Sequence, residues 1–209
     1  MNPYFVWEPH DGGPSWRPFP QLLSPDVAAS RVAASRAALA GMFGLEVSAL
    51  PERVVASVLL LGYASRLVSP PLARALDSGS IPAVTPEDLW WREVPGGPLP
   101  MAVSGSGSRP AGEFFDVVVL GLVEPLVSVF GERFRLSPHV LWGNVASALG
   151  GAAGQLSAGA WPIVAGLLER APLRGMADVR GGRVQRRNCC LYYRVPGGGT
   201  CGDCVLNLR

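Results

Sequence analysis

The chain has 209 residues, of which 48% are hydrophobic and 16% charged, and its formal net charge is +2. This length and composition suit one fair-sized domain or two small ones and exclude a globally disordered chain. So small a charge gives no general attraction to nucleic acid or to an anionic membrane.

All 18 basic side chains are arginine, which reads as a compositional bias before it reads as function. Met1 to Pro20 lacks the basic start and apolar block of a secretory signal. The greasiest stretches, 54–68 and 114–130, are interrupted by Ser65 and Arg66 and by Asp116, Glu124 and Pro125. Neither supplies the roughly 20 uninterrupted apolar residues of a membrane span. The expectation is a soluble, cytoplasmic protein without a transmembrane segment. In that reducing compartment, clustered cysteines are more often metal ligands or redox groups than disulfides.

Ser24-Pro25-Asp26 has the form of a helix start, and the alanine-rich run that follows is expected to end at Gly41. Pro51-Glu52 opens a second helix with Val54, Val58, Leu61 and Leu67 at helical spacing, stopped at Ser69-Pro70-Pro71. Leu72 to Leu76 is a short third piece. Thr85-Pro86-Glu87-Asp88 caps a further turn carrying Trp90 and Trp91, one expected buried and one partly exposed. Pro95 to Pro100 is turn-rich, and Met101 to Val103 fits a short strand. Ser104 to Ser108 has the composition of a flexible linker.

Phe114 to Phe130 reads as a buried helix kinked at Pro125. Ser137-Pro138 starts a helix through Leu149, and Trp161-Pro162 another through Arg170. The fold class is therefore mainly α: a helical domain with a short C-terminal β-hairpin or loop segment. We divide the chain into a mostly helical region at 1–103, a linker at 104–110, a helical region at 111–180 and a cysteine-bearing segment at 181–209.

That last segment holds Cys189, Cys190, Cys201 and Cys204, all the cysteines of the chain, within sixteen positions. Its many turn formers supply little core, so a metal centre is the natural agent to hold it folded. Cys201-Gly202-Asp203-Cys204 has the two-residue spacing that turns both sulfurs toward one metal. Leu191 to Val195 is expected to run as a strand, and Pro196 to Gly199 to turn the chain back and bring the doublets together. Soft thiolates select zinc, copper(I) or iron-sulfur clusters. Neighbouring side chains such as Cys189 and Cys190 diverge, which suits a two-iron cluster better than a single ion. Spacing alone nevertheless leaves cluster and zinc both open, with two disulfides disfavoured in the cytoplasm.

Cys-Cys, ten intervening residues and Cys-x2-Cys, together with Tyr192-Tyr193-Arg194 and the glycine turn, resembles the C-terminal signature of the FhuF-like ferric-siderophore reductase family. Leu141-Trp142-Gly143-Asn144 resembles a helix motif of the same family. The resemblance implies a 2Fe-2S cluster on Cys189, Cys190, Cys201 and Cys204. It also implies an iron-sulfur oxidoreductase that reduces chelated Fe(III) by one electron and releases iron. The partners implied are a ferric siderophore, favoured as a hydroxamate, and a separate electron donor such as a ferredoxin or flavin reductase. The alternatives are a non-catalytic, zinc-stabilised binding module and a siderophore-handling accessory protein.

Arg187 and Arg194 are the candidate substrate contacts, although a basic tail of Arg183, Arg186, Arg187 and Arg194 also reads simply as a solvated face. Asn144 and Trp142 could line a substrate surface, but a mid-helix Asn bonding a neighbouring loop and a core Trp are the plainer readings. His139 reads as a surface residue. Asp116 and Glu124 read as solvent-facing or singly hydrogen-bonded. No dinucleotide or phosphate-loop fingerprint occurs.

Overall fold

A computed structural model describes residues 2–94, 97–105 and 107–208. Pro95 and Gly96 of the expected turn, and Ser106 of the expected linker, lie outside the described residues. The protein is mainly helical with small sheets, as its sequence implies.

Helix α1 spans Pro25–Phe43, with Pro25 in its first turn and Asp26 beside the helix N-terminus. It passes through Gly41 and ends at Gly44, whose φ of 63° is the left-handed closing turn. The expected stop at Gly41 is thus three residues early, since an interior glycine weakens a helix without ending it.

Helix α2, Glu52–Ser78, continues through Pro70 and Pro71, where a stop was expected, and absorbs the anticipated third piece. Val68, Ser69, Pro70, Pro71 and Leu72 are all buried, and their packing offsets the hydrogen bonds that two prolines cannot make. Gly79, at φ 64°, closes this helix.

Strands β1 (Glu8–Pro9), β2 (Arg17–Pro18), β4 (Leu89–Trp91) and β5 (Met101–Val103) form one sheet in the order β1-β5-β4-β2. Strands β3 (Ser80–Pro82) and β6 (Ser108–Pro110) pair antiparallel in a second. The Thr85 turn closes on itself, because the Thr85 N–H and hydroxyl both donate to the Asp88 carboxylate, at 2.8 and 3.0 Å. The two tryptophans therefore fall on β4 rather than on a helix. Strand alternation buries Trp91 and leaves Trp90 half-buried.

Phe115–Val123 is π-helical and passes at Glu124 into α3 (Glu124–Phe134), so the change of helix geometry adjoins Pro125. Helix α4 (Pro138–Ala153) has Ser137 as its cap, the hydroxyl accepting from the Val140 N–H at 3.4 Å. Helix α5 is Ala160–Leu168. Strands β7 (Ala177–Arg180) and β8 (Arg183–Arg186) make the C-terminal hairpin.

α2 is the central element and packs most extensively on α4. Residues on both sides of 104–110 join one apolar core, including Leu60, Leu67, Phe130, Val145 and Leu149. Two helical stretches, 52–78 and 111–134, are long and apolar enough to reach across a membrane by length and hydropathy alone. The first is a core helix, with 72% of its apolar window buried.

Candidate metal centre

The hairpin turns at Gly181 and Gly182, whose φ values of 55° and 68° match the two-residue turn that suits strand twist. β8 then lies across α4 at two of the helix's glycines. A Cβ at Gly143 would overlap the Asn188 side chain, and one at Gly150 would overlap Val184. Their seven-residue spacing puts both on one face of α4, so the strand and the segment entering the cysteines rest on bare helix backbone.

β8 ends in Arg186, whose side chain is 0% exposed. Its Nη1 donates to Asn144 Oδ1 at 3.0 Å. Its Nε lies 2.9 Å from Asp203 Oδ2, and Nη2 donates to Asp203 Oδ1 at 3.1 Å. Nη2 also donates to Cys201 Sγ at 2.6 Å. Asn144, itself fully buried, turns its amide to Ser57, donating to the carbonyl at 2.8 Å and to Oγ at 2.9 Å. Ser57 Oγ in turn donates to the Cys190 carbonyl at 2.8 Å. One chain of hydrogen bonds thus joins α2, α4 and both cysteine doublets.

The sulfurs of Cys190 and Cys201 are 3.5 Å apart, well beyond the roughly 2.05 Å of a disulfide. Two thiolates on one tetrahedral metal with bonds of about 2.3 Å sit about 3.8 Å apart, so the spacing fits a shared metal. Cys190 and Cys204 are buried, while Cys189 and Cys201 are half-buried. Among the described residues, no three His, Cys, Asp or Glu side chains converge as a single ion requires. The close pair draws one sulfur from each doublet, so the fold brings the two doublets to one place.

Leu191 has φ 70°, a left-handed conformation that costs a leucine about 1–2 kcal/mol. There its N–H donates to Cys189 Sγ at 3.3 Å. The expected strand at Leu191 to Val195 is replaced by this turn and a 3₁₀ turn at Tyr192–Arg194. The turn leaves the Cys190 carbonyl on Ser57 of α2 and the Cys189 sulfur on the Leu191 N–H. The glycine turn packs on α1, and a Cβ at Gly197 would meet Phe43 Cδ1 at 3.6 Å.

Electrostatics favour the thiolate form at Cys190. The hydrogen bond shared with Cys201 lowers the Cys190 pKa to about 5, burial opposes the shift, and Arg186 assists it. Cys201, as proton holder of that pair, is pushed up. Burial raises Cys189, against the Leu191 N–H. Burial alone would lower the Arg186 pKa, but Asp203 and the two sulfurs outweigh it, so the guanidinium stays charged.

The structure brings the two cysteine doublets, Arg186 and Asn144 together. Arg187 instead points to β7, where its Nε and Nη2 take Asp178 at 3.0 and 2.7 Å. Arg194 is exposed beside Tyr193 Oη at 3.2 Å. Trp142 is buried, His139 exposed, and Asp116 pairs at the surface with Arg170 at 3.0 Å. A groove of about 650 Å³ between α1 and α2, lined by Arg31, Leu39, Met42, Leu59 and Tyr63, includes none of the cysteines.

Sequence reasoning missed the burial of Arg186 and the parts played by Ser57 and Asp203. The one available signal was Asn144 beside Gly143 in the middle of a mostly apolar helix: a lone amide next to a bare position marks where a polar segment comes close.

No curated protein matches the chain. The family model of the FhuF 2Fe-2S C-terminal domain matches residues 186–206, from the buried arginine through all four cysteines, and bears out the resemblance read from the cysteine motif. The C-terminal segment of this chain is therefore similar to FhuF 2Fe-2S domains, and the cofactor to which it points is a 2Fe-2S cluster.

Proposed function

We propose that this protein is a ferric-siderophore reductase of the cytoplasm, with the cluster held by Cys189, Cys190, Cys201 and Cys204. The observation that carries the reading is the approach of Cys190 and Cys201 to 3.5 Å beside a buried guanidinium, inside the segment similar to FhuF domains.

When bound, a 2Fe-2S cluster supplies a one-electron couple. The thiols act as its ligands, and burial of Cys190 and Cys204 shields that side from water. Cys189 and Cys201 are only half-buried, and Tyr193 and Arg194, close to Cys189 in sequence, are exposed, so a partner can approach these residues. The substrate is Fe(III) held by hard oxygen donors, favoured as a hydroxamate chelate. Fe(II) binds such donors far more weakly, so gaining one electron releases it. That electron comes from a separate donor such as a ferredoxin or flavin reductase. Arg187 and Arg194 are the contacts proposed for the chelate.

The test is anaerobic purification with iron, zinc and acid-labile sulfide analysis, then stopped-flow oxidation of the dithionite-reduced protein by ferric hydroxamates and catecholates. Brown protein with matching iron and sulfide, oxidised quickly in proportion to chelate concentration, supports the reading. Colourless protein loaded with zinc replaces it with a zinc-stabilised binding module. A cluster that no ferric chelate oxidises replaces it with an accessory or sensing role.

A further inference from the structure

We propose that Arg186, held by Asn144 and opposed by Asp203, is the positioning residue that sets the reduction potential of the 2Fe-2S centre. This inference rests on the cluster assignment above and adds to it a named device within the chain.

Arg186 is both fully buried and aimed at a thiol sulfur. A fully buried guanidinium is rare unless it is paired, and here Nη1 donates to Asn144 and Nη2 to Asp203 and Cys201, while Nε faces Asp203 Oδ2 at 2.9 Å as an ion pair without a hydrogen bond of its own. A salt bridge needed only for stability could be made by exposed side chains at no desolvation cost. Burial at a thiol sulfur is what a fixed electrostatic influence needs, because low local polarity strengthens it and rigid partners keep its direction.

The direction of the effect follows from charge. Uptake of one electron from a low-potential donor makes the centre more negative by one unit, with no bond formed or broken in the protein. A cation with an N–H aimed at a ligand sulfur stabilises that added charge and raises the potential. Asp203, between Gly202 and Cys204, acts in the opposite sense. Because the two form an ion pair at 2.9 Å, their charges largely cancel at longer range. What then remains at Cys201 is chiefly the Nη2 hydrogen bond, whose orientation Asn144 fixes from α4 and Ser57 fixes from α2.

The arrangement makes opposite predictions for the two partners. Arg186→Gln removes the cation and leaves the Asp203 carboxylate unopposed, so the potential falls. Asp203→Asn leaves the guanidinium unopposed, so it rises. Each shift is at least tenfold in the ratio of oxidised to reduced protein at fixed solution potential, or 59 mV for a one-electron couple. The double variant returns toward the parent value.

The measurement is an anaerobic redox titration of the full chain, followed by its absorption spectrum and by the paramagnetic signal of the reduced centre. Opposite shifts in the two single variants support the proposal. Shifts in the same direction, or none in Asp203→Asn with cluster content intact, overturn it. Should Arg186→Gln fail to fold, Arg186→Lys keeps the charge but loses the fork, and a potential between parent and the expected Gln value is required; an unmoved potential sinks the idea. Parent protein that holds no cluster overturns both readings, whereas a cluster-bearing parent with unmoved variants overturns this one alone.

Discussion

Asn144 on α4 accepts a hydrogen bond from Arg186 at 3.0 Å across 42 residues of sequence, with both side chains buried. The same amide donates to Ser57 on α2, so a single carboxamide ties the tail to the two helices that form the centre of the core. Asn144→Ala leaves a buried guanidinium N–H without its acceptor and removes the amide that donates to the Ser57 carbonyl and hydroxyl. The expected loss is about 2–4 kcal/mol of stability, seen as a lower urea midpoint with unchanged slope. Asn144→Asp restores an acceptor for Arg186 but not the donor to Ser57, and recovers part of the loss.

Close approach of the tail to α4 depends on Gly143. Gly143→Ala forces Asn188 out of its place, and the overpacking costs about 1–3 kcal/mol. Cluster content per chain falls, and trypsin cuts sooner at Arg183 and Arg187. Gly166→Ala is the control: it lies on exposed α5 surface with open space around it, and an alanine there stabilises by about 0.5–1 kcal/mol.

Replacing any one of Cys189, Cys190, Cys201 or Cys204 by serine exchanges a soft ligand for a hard one. Each single variant is expected to lose or degrade the visible absorption of the holoprotein, and sulfide analysis checks the loss directly. Full retention of the chromophore in one of them removes that residue from the proposed ligand set.

Tyr63 sits 4% exposed, and burial raises its phenol pKa, with Arg31 pulling the other way. A folded pKa above the unfolded value near 10 means that the native state holds its proton more tightly than the unfolded chain. Its contribution is fully present below pH 10 and is lost as pH rises through the folded value. Denaturation midpoints measured from pH 8 to 11 are expected to decline at the alkaline end, and Tyr63→Phe is expected to flatten that decline.

Arg187 shares its charge with Asp178 in a bidentate pair, whereas Arg194 faces solvent beside Tyr193. For an anionic ferric chelate, Arg194→Gln is expected to slow oxidation of the reduced protein several-fold at low salt and to weaken its salt dependence. Arg187→Gln has a smaller effect on that rate. Equal losses in the two variants would falsify this ranking.

Several features were legible without coordinates because their causes are local. Ser24-Pro25 and Ser137-Pro138 announce helix starts, since a proline fits the first turn wherever the remainder packs. Met101–Val103 is a strand as expected, and the pairing of one buried with one half-buried tryptophan holds. Misreadings arise where tertiary burial outweighs local preference. Pro70 and Pro71 stop helices in isolation, yet here they are core residues of α2. Leu191 reads as a strand residue from its side chain, yet it takes a left-handed turn that aims its N–H at Cys189.

By itself the sequence determined the chemistry of the donor set, because four thiols in fixed covalent spacing admit few metals whatever surrounds them. Only the tertiary structure decided which of the arginines near those thiols acts on them. Arg183, Arg186, Arg187 and Arg194 look equivalent as letters, but β8 pairs with β7 and crosses α4 so that Arg186 alone among them is buried against Asn144, Asp203 and Cys201. The physical reason is that a charge acquires its influence from the partners and the dielectric around it, and both are supplied by residues distant in sequence.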